Sequence, residues 1–452
     1  MKRFLPLAFF VLIFPHIYAQ TGLWSGKLEA DAVSVRIVFH LDDDACTVDS
    51  PDQGVKGIPA KLERTLTGVK VNIPSLGARY EGAYLGRSIK GTFTQNGRSF
   101  PLSLTPGSPE RKRPQTPVPP FPYSTEEVSF NNGDAVLKGT LTLPEGFDAS
   151  TPTLIMITGS GLQNRDEEIF GHKPFAVLAD ALARNGIASL RYDDRGFGQS
   201  SGDLVYATAE DFKEDAAAGI ELLRGRFAKV GALGHSEGGS IAFMLAAEKK
   251  VDFVVSLAGA IVSGKEILLS QNRLALLQAG YSEEVTSLYL SALEDIFEQI
   301  QEGLAPSLPE SALPEELHKN LQAVAVQAGT TYMRHFLETD ISKVLHKVAC
   351  PVLALSGTKD VQVDCARNLA ALRSGLPSEV GLAPEGSSAL RRDDAYWQPS
   401  DKAPSGNLII PIDGVNHLFQ RCFSGAVSEY AEIEETISPE VLNVIIGWLK
   451  EN

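Results

Sequence analysis

One serine in the sequence lies in a setting that suits nucleophilic chemistry. Ser236 is the centre of the segment Gly234-His235-Ser236-Glu237-Gly238-Gly239, which matches the pattern G-x-S-x-G. A nucleophile held in a sharp, strained turn needs small neighbours, and Gly234 and Gly238 supply them. An apolar run ends just before this segment, and a helical pattern over 240–247 follows it. This strand–turn–helix context predicts that Ser236 is a catalytic nucleophile.

A serine nucleophile needs a base, and the base needs an acid to orient it. In enzymes with a turn of this kind, the acid and then the histidine follow the serine in the chain, each after a later strand. Asp360 follows the apolar run 352–355, and Asp364 is a nearby competitor for the same role. His417 follows a further apolar run and is the only histidine C-terminal to Asp360. Chain order therefore predicts a triad of Ser236, Asp360 and His417.

The same chemistry needs backbone N–H donors that stabilise an oxyanion. The loop Thr158-Gly159-Ser160-Gly161 follows the apolar run 154–157, and its glycines let the backbone approach a bound carbonyl closely. We expect the donors to be the N–H of Ser160 and that of Glu237, which directly follows the nucleophile. Gly161 is the alternative donor in the loop.

Two charged clusters lie near these residues in the predicted domain. They are Asn164-Arg165-Asp166-Glu167 and the stretch 191–195, which has arginines at both ends and Asp193-Asp194 between them. We interpret both as salt bridges that brace loops rather than as substrate contacts.

Short apolar runs alternate with helical patterns throughout 123–452. The runs are 154–157, 188–192, 230–233, 253–257, 352–355 and 408–412. Strands that are apolar on both faces and separated by helices indicate a mostly parallel sheet with helices on both faces. Two further strands around Asn131-Asn132-Gly133 open the domain.

A long helical insertion over about 262–347 is expected to form a cap above the sheet. Apolar residues recur in it at intervals of three and four positions, which predicts one apolar helix face. These residues are Val285, Leu288, Ala292, Ile296 and Ile300.

Residues 20–105 have the alternating pattern of half-buried β-strands, for example over 33–41. Asn96-Gly97 predicts a tight hairpin turn. Short strands with frequent turns indicate a small all-β domain, either a barrel or a sandwich. His40 falls on the polar phase of its strand and is predicted to be a surface residue.

Seven prolines between Pro106 and Pro122 predict a stiff, exposed linker over 106–122. The basic triplet Arg111-Lys112-Arg113 within it is interpreted as a solvated patch.

The first residues have the layout of a secretory signal peptide. Lys2 and Arg3 precede an apolar run over 4–14, and the small residue Ala19 marks a cleavage point, so 1–19 is predicted to be removed on export. A membrane anchor is the alternative, but the run is shorter than the ~20 residues that a span needs. We therefore expect a secreted or periplasmic protein without stable membrane insertion. The four cysteines are expected to be unpaired thiols or to form at most one bridge.

Several motifs in order resemble bacterial EstD-type carboxylesterases, a group of the α/β-hydrolase superfamily that carries an N-terminal β domain. The motifs are 157–161, 163–167, 191–196 and 414–420. The resemblance implies the α/β-hydrolase fold with a helical cap, and cofactor- and metal-independent hydrolysis of carboxylic esters with short acyl chains by Ser236, Asp360 and His417. The stretch 375–406 is longer than expected in that family, which leaves the substrate range open.

The leading hypothesis is a serine hydrolase that cleaves small-molecule esters through an acyl-enzyme. A peptidase of the same superfamily is the alternative, with Glu237 or Glu167 as an anchor for a substrate amine. A non-catalytic binding protein that keeps the fold is a third. The formal net charge of −15 argues against nucleic acid or an anionic membrane as a partner. The sequence carries no indication of the oligomeric state.

Overall fold

A computed structural model describes residues 22–30, 33–42, 46–53, 55–65, 67–85, 88–107, 113–308, 313–377 and 406–452. The chain divides into two compact units, Met1–Arg111 and Lys112–Asn452. The predicted signal peptide and most of the long stretch 375–406 lie outside the described residues. Within the described ranges, no helix has the length and apolar character needed to cross a membrane.

The first unit contains a closed barrel of eight antiparallel strands, so of the two predicted all-β forms the barrel is correct. The strands are β1 (Gly22–Ala30), β2 (Val33–Leu41), β3 (Cys46–Ser50), β4 (Val55–Arg64), β5 (Gly68–Ile73), β6 (Ala78–Leu85), β7 (Ser88–Gln95) and β8 (Arg98–Pro106). Buried side chains such as Phe39 and Tyr80, whose rings are 5.3 Å apart, form its core. Asn96 and Gly97 have φ of 50° and 78° and make the predicted tight turn between β7 and β8. His40 is half-buried, with Nε2 2.7 Å from the Asp49 carboxylate.

The second unit contains an eight-stranded, mostly parallel sheet. Its strands are β9 (Ser124–Asn132), β10 (Ala135–Leu143), β11 (Thr153–Ile157), β12 (Ala188–Tyr192), β13 (Val230–His235), β14 (Val254–Leu257), β15 (Val352–Gly357) and β16 (Leu408–Ile412). Their order is β16-β15-β14-β13-β11-β12-β10-β9. Strands β11 to β16 are parallel, whereas β9 and β10 form an antiparallel edge.

Helices cover both faces of this sheet, as predicted. They are α1 (Pro174–Ala183), α2 (Ala209–Arg224), α3 (Glu237–Ala247), α8 (Cys365–Gly375), the short α9 (Val427–Tyr430) and α10 (Pro439–Glu451). On one face α2, α3 and α8 bury side chains such as Phe243 and Leu369. On the other face α1 and α10 bury Phe175 and Trp448. Burial on both faces explains why the central strands are continuous apolar runs.

The predicted cap is a set of four helices between β14 and β15. They are α4 (Gly264–Gln278), α5 (Glu283–Gln301), α6 (Glu315–Ala328) and α7 (Thr331–Glu338), and 3-10 turns at Ile341–Lys343 and Leu345–Lys347 follow them. The predicted inner face of α5 is wrong at Leu288, which is 43% exposed. Tyr289 and Leu293 are buried in the cap core instead, because the inner face of the helix is rotated toward them.

The predicted linker over 106–122 is not exposed throughout, because part of it is hydrogen-bonded to the second unit. The first unit ends at Arg111, so most of the predicted linker belongs to the second unit. Its residues from Arg113 onward form hydrogen bonds with other parts of that unit. The Arg113 guanidinium donates to the main-chain oxygens of Ala431 and Ile433 at 3.0 and 2.7 Å. The Gln115 amide donates to the oxygen of Ile437 at 2.7 Å. Proline excludes helix and ladder bonds here, but polar side chains between the prolines supply tertiary bonds that composition does not reveal.

The four cysteines, Cys46, Cys350, Cys365 and Cys422, are all free thiols. The prediction of unpaired thiols is therefore correct, and the alternative of one bridge is not.

Candidate active site

Ser236 lies in a sharp turn between β13 and α3. Its backbone has φ 54° and ψ −120°, and its N–H donates to the oxygen of Leu257 at 2.9 Å. A Cβ on Gly234 would lie 2.0 Å from the oxygen of Gly238, and one on Gly238 would lie 2.1 Å from the oxygen of Ile157. Real Cβ atoms do not approach this closely, so the turn requires glycine at both positions. The positive φ of Ser236 is a strained conformation of the kind that functional sites tolerate.

Asp360 and His417 follow the neighbouring parallel strands β15 and β16, and their side chains meet at the carboxyl edge of the sheet. Nδ1 of His417 is 2.7 Å from Oδ2 of Asp360. Oδ1 of Asp360 accepts from the N–H groups of Gln362 and Val363 at 2.8 and 2.9 Å. These bonds fix the orientation of the Asp360 carboxylate.

The competing acid, Asp364, has a different role. It is the N-cap of α8, and its carboxylate accepts from the N–H of Arg367 at 2.9 Å. The structure thus brings Asp360 to His417 and places Asp364 at a helix terminus.

Ser236 and His417 line the same cavity, which has a volume of about 230 Å³. Its lining is predominantly apolar, and the cap contributes several of the apolar side chains. They are Ile267, Leu268, Met333 and Phe336. The polar lining includes the neutral side chains of Gln163, Gln271, Gln362 and Tyr332, and Glu167 and His235 also line the cavity. A cavity of this kind suits an uncharged organic ligand.

The predicted oxyanion loop follows β11 and lies against Ser236. A Cβ on Gly159 would lie 3.2 Å from Cβ of Ser236. Ser160 lines the cavity, and Gly161 takes a positive φ of 89°. The N–H of Gly159 donates to Oε1 of Glu167 at 3.0 Å. The Gly159 donor is therefore committed to a protein partner.

Asp194 holds the same loop by hydrogen bonds at both of its ends. Its carboxylate accepts from the Thr158 hydroxyl at 2.9 Å and from the N–H of Gln163 at 2.8 Å. Burial raises the pKa of Asp194 to about 7, although these two bonds oppose the shift.

Glu237 is the first residue of α3, so its N–H lies directly after the nucleophile, as the prediction requires. Its side chain is buried and points to the cap, where the phenol of Tyr332 in α7 donates to Oε2. Burial raises the pKa of Glu237.

The two charged clusters brace loops, as predicted. Arg165 donates to the carboxylates of Asp193 and Glu127 at 2.9 and 2.6 Å. Arg195 pairs with the fully buried Asp215 at 2.6 Å. Glu167 is an exception within its cluster, because its carboxylate bonds to His235 at 2.9 Å and not to an arginine.

A buried network of polar side chains beside His417 is not predicted by the sequence pattern. The side chain of Asn416 donates to Oε1 of Gln420 at 2.9 Å and accepts from the Gln420 N–H at 3.0 Å. The Gln420 amide in turn contacts the His172 ring, with Nε2 to Nε2 at 2.9 Å. The polar residues Asn416 and Gln420 in the motif 414–420 were the sequence feature that could have indicated this network.

Comparison with known proteins agrees with this geometry. Residues 173–379 match a family described as serine aminopeptidase, S33. The sheet order and the strained serine turn, together with this match, decide the fold. The second unit has the α/β-hydrolase fold. Esterase EstD of Thermotoga maritima is 26% identical over 249 residues, 54% of this chain and 54% of that protein. The resemblance to EstD-type esterases predicted from the motifs is thereby confirmed, over about half the length of that relative.

Solved structures similar to this α/β-hydrolase include esterase Pf2001 of Pyrococcus furiosus, at 16% identity, with 60% of this chain and 86% of that chain covered and a TM-score of 0.37. A proline iminopeptidase of Mycobacterium smegmatis is also similar, at 16% identity, with 72% of this chain and 98% of that chain covered and a TM-score of 0.42. Among the described residues of the chain, no cluster of three or more His, Cys, Asp or Glu side chains is arranged to hold a metal ion.

Proposed function

We propose that this α/β-hydrolase cleaves carboxylic esters of small molecules through an acyl-enzyme, with Ser236, His417 and Asp360 as its catalytic triad. The observation that carries the proposal is the 2.7 Å contact between Nδ1 of His417 and Oδ2 of Asp360, beside a cavity that Ser236 also lines. The likeness to an esterase of Thermotoga maritima supports the ester as the substrate class.

The contact between His417 and Asp360 supports a distinct role for each side chain in the proposed reaction. Since Nδ1 of His417 is bonded to Asp360, Nε2 is the nitrogen that takes the proton from Ser236 as its oxygen attacks the ester carbonyl. The same nitrogen returns this proton to the leaving alkoxide, which departs as the alcohol. Water then attacks the acyl-enzyme with His417 as base, and the acid and free Ser236 are regenerated.

Backbone donors are proposed to stabilise the oxyanion in both steps. They are the N–H of Glu237 at the start of α3 and the N–H of Ser160, with Gly161 as the alternative. One such donor lowers the barrier by about 2.7–4 kcal/mol in comparable enzymes.

The peptidase alternative requires a carboxylate that is available to a substrate amine. The two candidates, Glu167 and Glu237, are both engaged: Glu167 with His235 and Gly159, and Glu237 with Tyr332. Both carboxyls are also buried. These contacts favour the ester over the peptide as substrate, although the matched family is described as an aminopeptidase.

A substrate panel separates the two activities. We expect the purified protein to hydrolyse p-nitrophenyl acyl esters and to leave aminoacyl p-nitroanilides intact. Preferential cleavage of the anilides would establish the peptidase instead. Esters of graded acyl length would also test the short-chain preference implied by the family.

We further propose that the protein is exported and cleaved after Ala19. N-terminal sequencing of secreted or periplasmic protein should begin at Gln20 or within a few residues of it. Intact Met1 on membrane-embedded protein would contradict export with cleavage.

A further inference from the structure

A second histidine–carboxylate pair lies beside the proposed triad. His235 directly precedes the nucleophile, and its ring is buried, with Nδ1 2.9 Å from Oε1 of Glu167. Its other nitrogen, Nε2, is 3.0 Å from the main-chain oxygen of His417. The rings of His235 and His417 are 4.7 Å apart between centroids.

The carboxylate of this pair also binds the oxyanion loop. Oε1 of Glu167, the same oxygen that contacts His235, accepts from the N–H of Gly159 at 3.0 Å. Gly159 immediately precedes Ser160, the proposed oxyanion donor. Glu167 itself is 2% exposed and has a positive φ of 52°, so the backbone adopts a strained conformation to place this carboxylate.

The pair therefore joins three separate loops. Glu167 belongs to the loop after β11, His235 ends β13, and His417 belongs to the loop after β16. Each of these loops carries one part of the proposed machinery: the oxyanion donor, the nucleophile and the base. Small displacements among such parts have large effects, because a shift of about 1 Å can slow a reaction on the order of 100-fold.

We propose that Glu167 and His235 form a positioning pair that holds the oxyanion loop and the His417 loop in register with Ser236. The inference rests on the proposed esterase function and names two residues that act through the triad rather than on the substrate.

The hydrogen bonds define the protonation of the pair. Nε2 of His235 faces a carbonyl oxygen and must carry a proton to bond to it. Nδ1 faces a carboxylate oxygen, so a second proton is shared between Nδ1 and Glu167. Burial lowers the pKa of His235, but Glu167, the main-chain oxygen of His417 and Asp360 together more than offset this, and the net shift is upward. Among the described residues, the other ionisable groups near the pair include His417 and Asp360 beside the His235 ring and Asp194, which interacts electrostatically with Glu167.

Replacing the carboxylate by an amide breaks this arrangement in a pH-dependent way. In Glu167→Gln, His235 keeps both bonds only as a buried imidazolium without a counter-charge, which burial disfavours. As the pH rises, His235 loses a proton and must give up either its bond to the amide oxygen or its bond to His417. Activity of the variant relative to the wild type should therefore fall with rising pH.

The test compares Glu167→Gln, His235→Gln and the double variant in the full chain. We expect kcat for a p-nitrophenyl ester to fall by about 10- to 100-fold, with KM changed by less than about threefold. The ratio of variant to wild-type kcat should decrease as the pH is raised. The double variant should be little slower than either single variant, because the two residues act as one unit.

Asp215→Asn provides the matched control. Asp215 is fully buried and ion-paired with Arg195 in the same unit, but it has no contact with the triad. This variant should lose thermal stability and keep its kcat. A wild-type kcat and pH profile in Glu167→Gln and His235→Gln, or losses no larger than in Asp215→Asn, would overturn the positioning role. A wild-type protein that neither hydrolyses esters nor reacts with a fluorophosphonate would instead overturn the proposed function, and the role of the pair with it.

Discussion

The guanidinium of Arg113 donates a 2.7 Å hydrogen bond to the main-chain oxygen of Ile433, 320 residues further along the chain. Ile433 lies in the loop between α9 and α10, and this loop also supports the loop of the proposed base. Within it, Glu435 accepts a hydrogen bond from the Gln420 amide at 2.9 Å, and the N–H of Ser438 donates to the oxygen of Phe419 at 2.8 Å. The proline-rich segment at the start of the second unit thus contributes to the support of the loop that carries His417.

Arg113→Ala should lower the stability of the catalytic unit. Removal of the Arg113 guanidinium leaves several main-chain oxygens without their donor. Each oxygen that stays buried and unsatisfied costs about 1–3 kcal/mol of stability. Thermal unfolding followed by circular dichroism should show a lower Tm than in Arg98→Ala, a control in the barrel. An unchanged Tm would mean that the contacts of Arg113 do not contribute to the stability of the unit.

The same contacts bear on where the catalytic unit begins. A fragment starting at Tyr123, as the proline-rich composition suggests, lacks both Arg113 and Gln115. We expect a fragment starting at Lys112 to have a higher Tm and higher esterase activity than the fragment starting at Tyr123. Equal stability of the two fragments would restore the interpretation of this segment as a linker.

Asp194 predicts a pH dependence of stability. Its pKa is raised to about 7 in the folded state, against about 3.9 in the unfolded chain, so the folded state binds the proton more tightly. Its contribution to stability is complete below the unfolded pKa and is lost as the pH rises through the folded value. Asp194→Asn, which cannot ionise, should therefore gain stability relative to the wild type between about pH 4 and pH 8. Urea unfolding at several pH values measures this difference, and a difference independent of pH would contradict the raised pKa.

Glu237 and Tyr332 connect the start of α3 to the cap helix α7. Tyr332→Phe removes the phenol and leaves a buried carboxyl without that donor, which should cost about 1–3 kcal/mol. If this contact is the source of the loss, the cost of Tyr332→Phe should be smaller in a Glu237→Ala background, which has no side-chain oxygen to accept the bond. Free energies of unfolding from the four proteins of this double-mutant cycle give the coupling. Strictly additive losses would show that the two side chains do not stabilise each other.

The choice between the two candidate acids can be tested directly. Asp360→Asn should keep the fold but leave the His417 imidazole in the wrong tautomer, which slows comparable enzymes about 10⁴-fold. Asp364→Asn should have little effect, because asparagine is also a good N-cap. Nearly normal turnover in Asp360→Asn together with an inactive Asp364→Asn would reverse the assignment.

The sequence predicted the features that follow from local pattern. The strands of the sheet were identifiable because burial on both faces makes them continuous apolar runs, and Ser236 was identifiable because its turn requires the two flanking glycines. Asp360 and Asp364 could not be separated, since both follow β15 and only the start of α8 decides which one caps the helix. The contacts of Arg113 and the pairing of Glu167 with His235 join residues far apart in the chain, so no local pattern reveals them.

Covalent labelling tests whether Ser236 is the nucleophile of an esterase. The full chain is treated with a fluorophosphonate, digested and analysed by mass spectrometry, in parallel with Ser236→Ala. We expect one adduct, on the peptide that contains Ser236, with ester hydrolysis lost in proportion to labelling and both adduct and turnover absent from Ser236→Ala. Normal ester turnover by Ser236→Ala, or an adduct on a different residue that abolishes turnover, would contradict it.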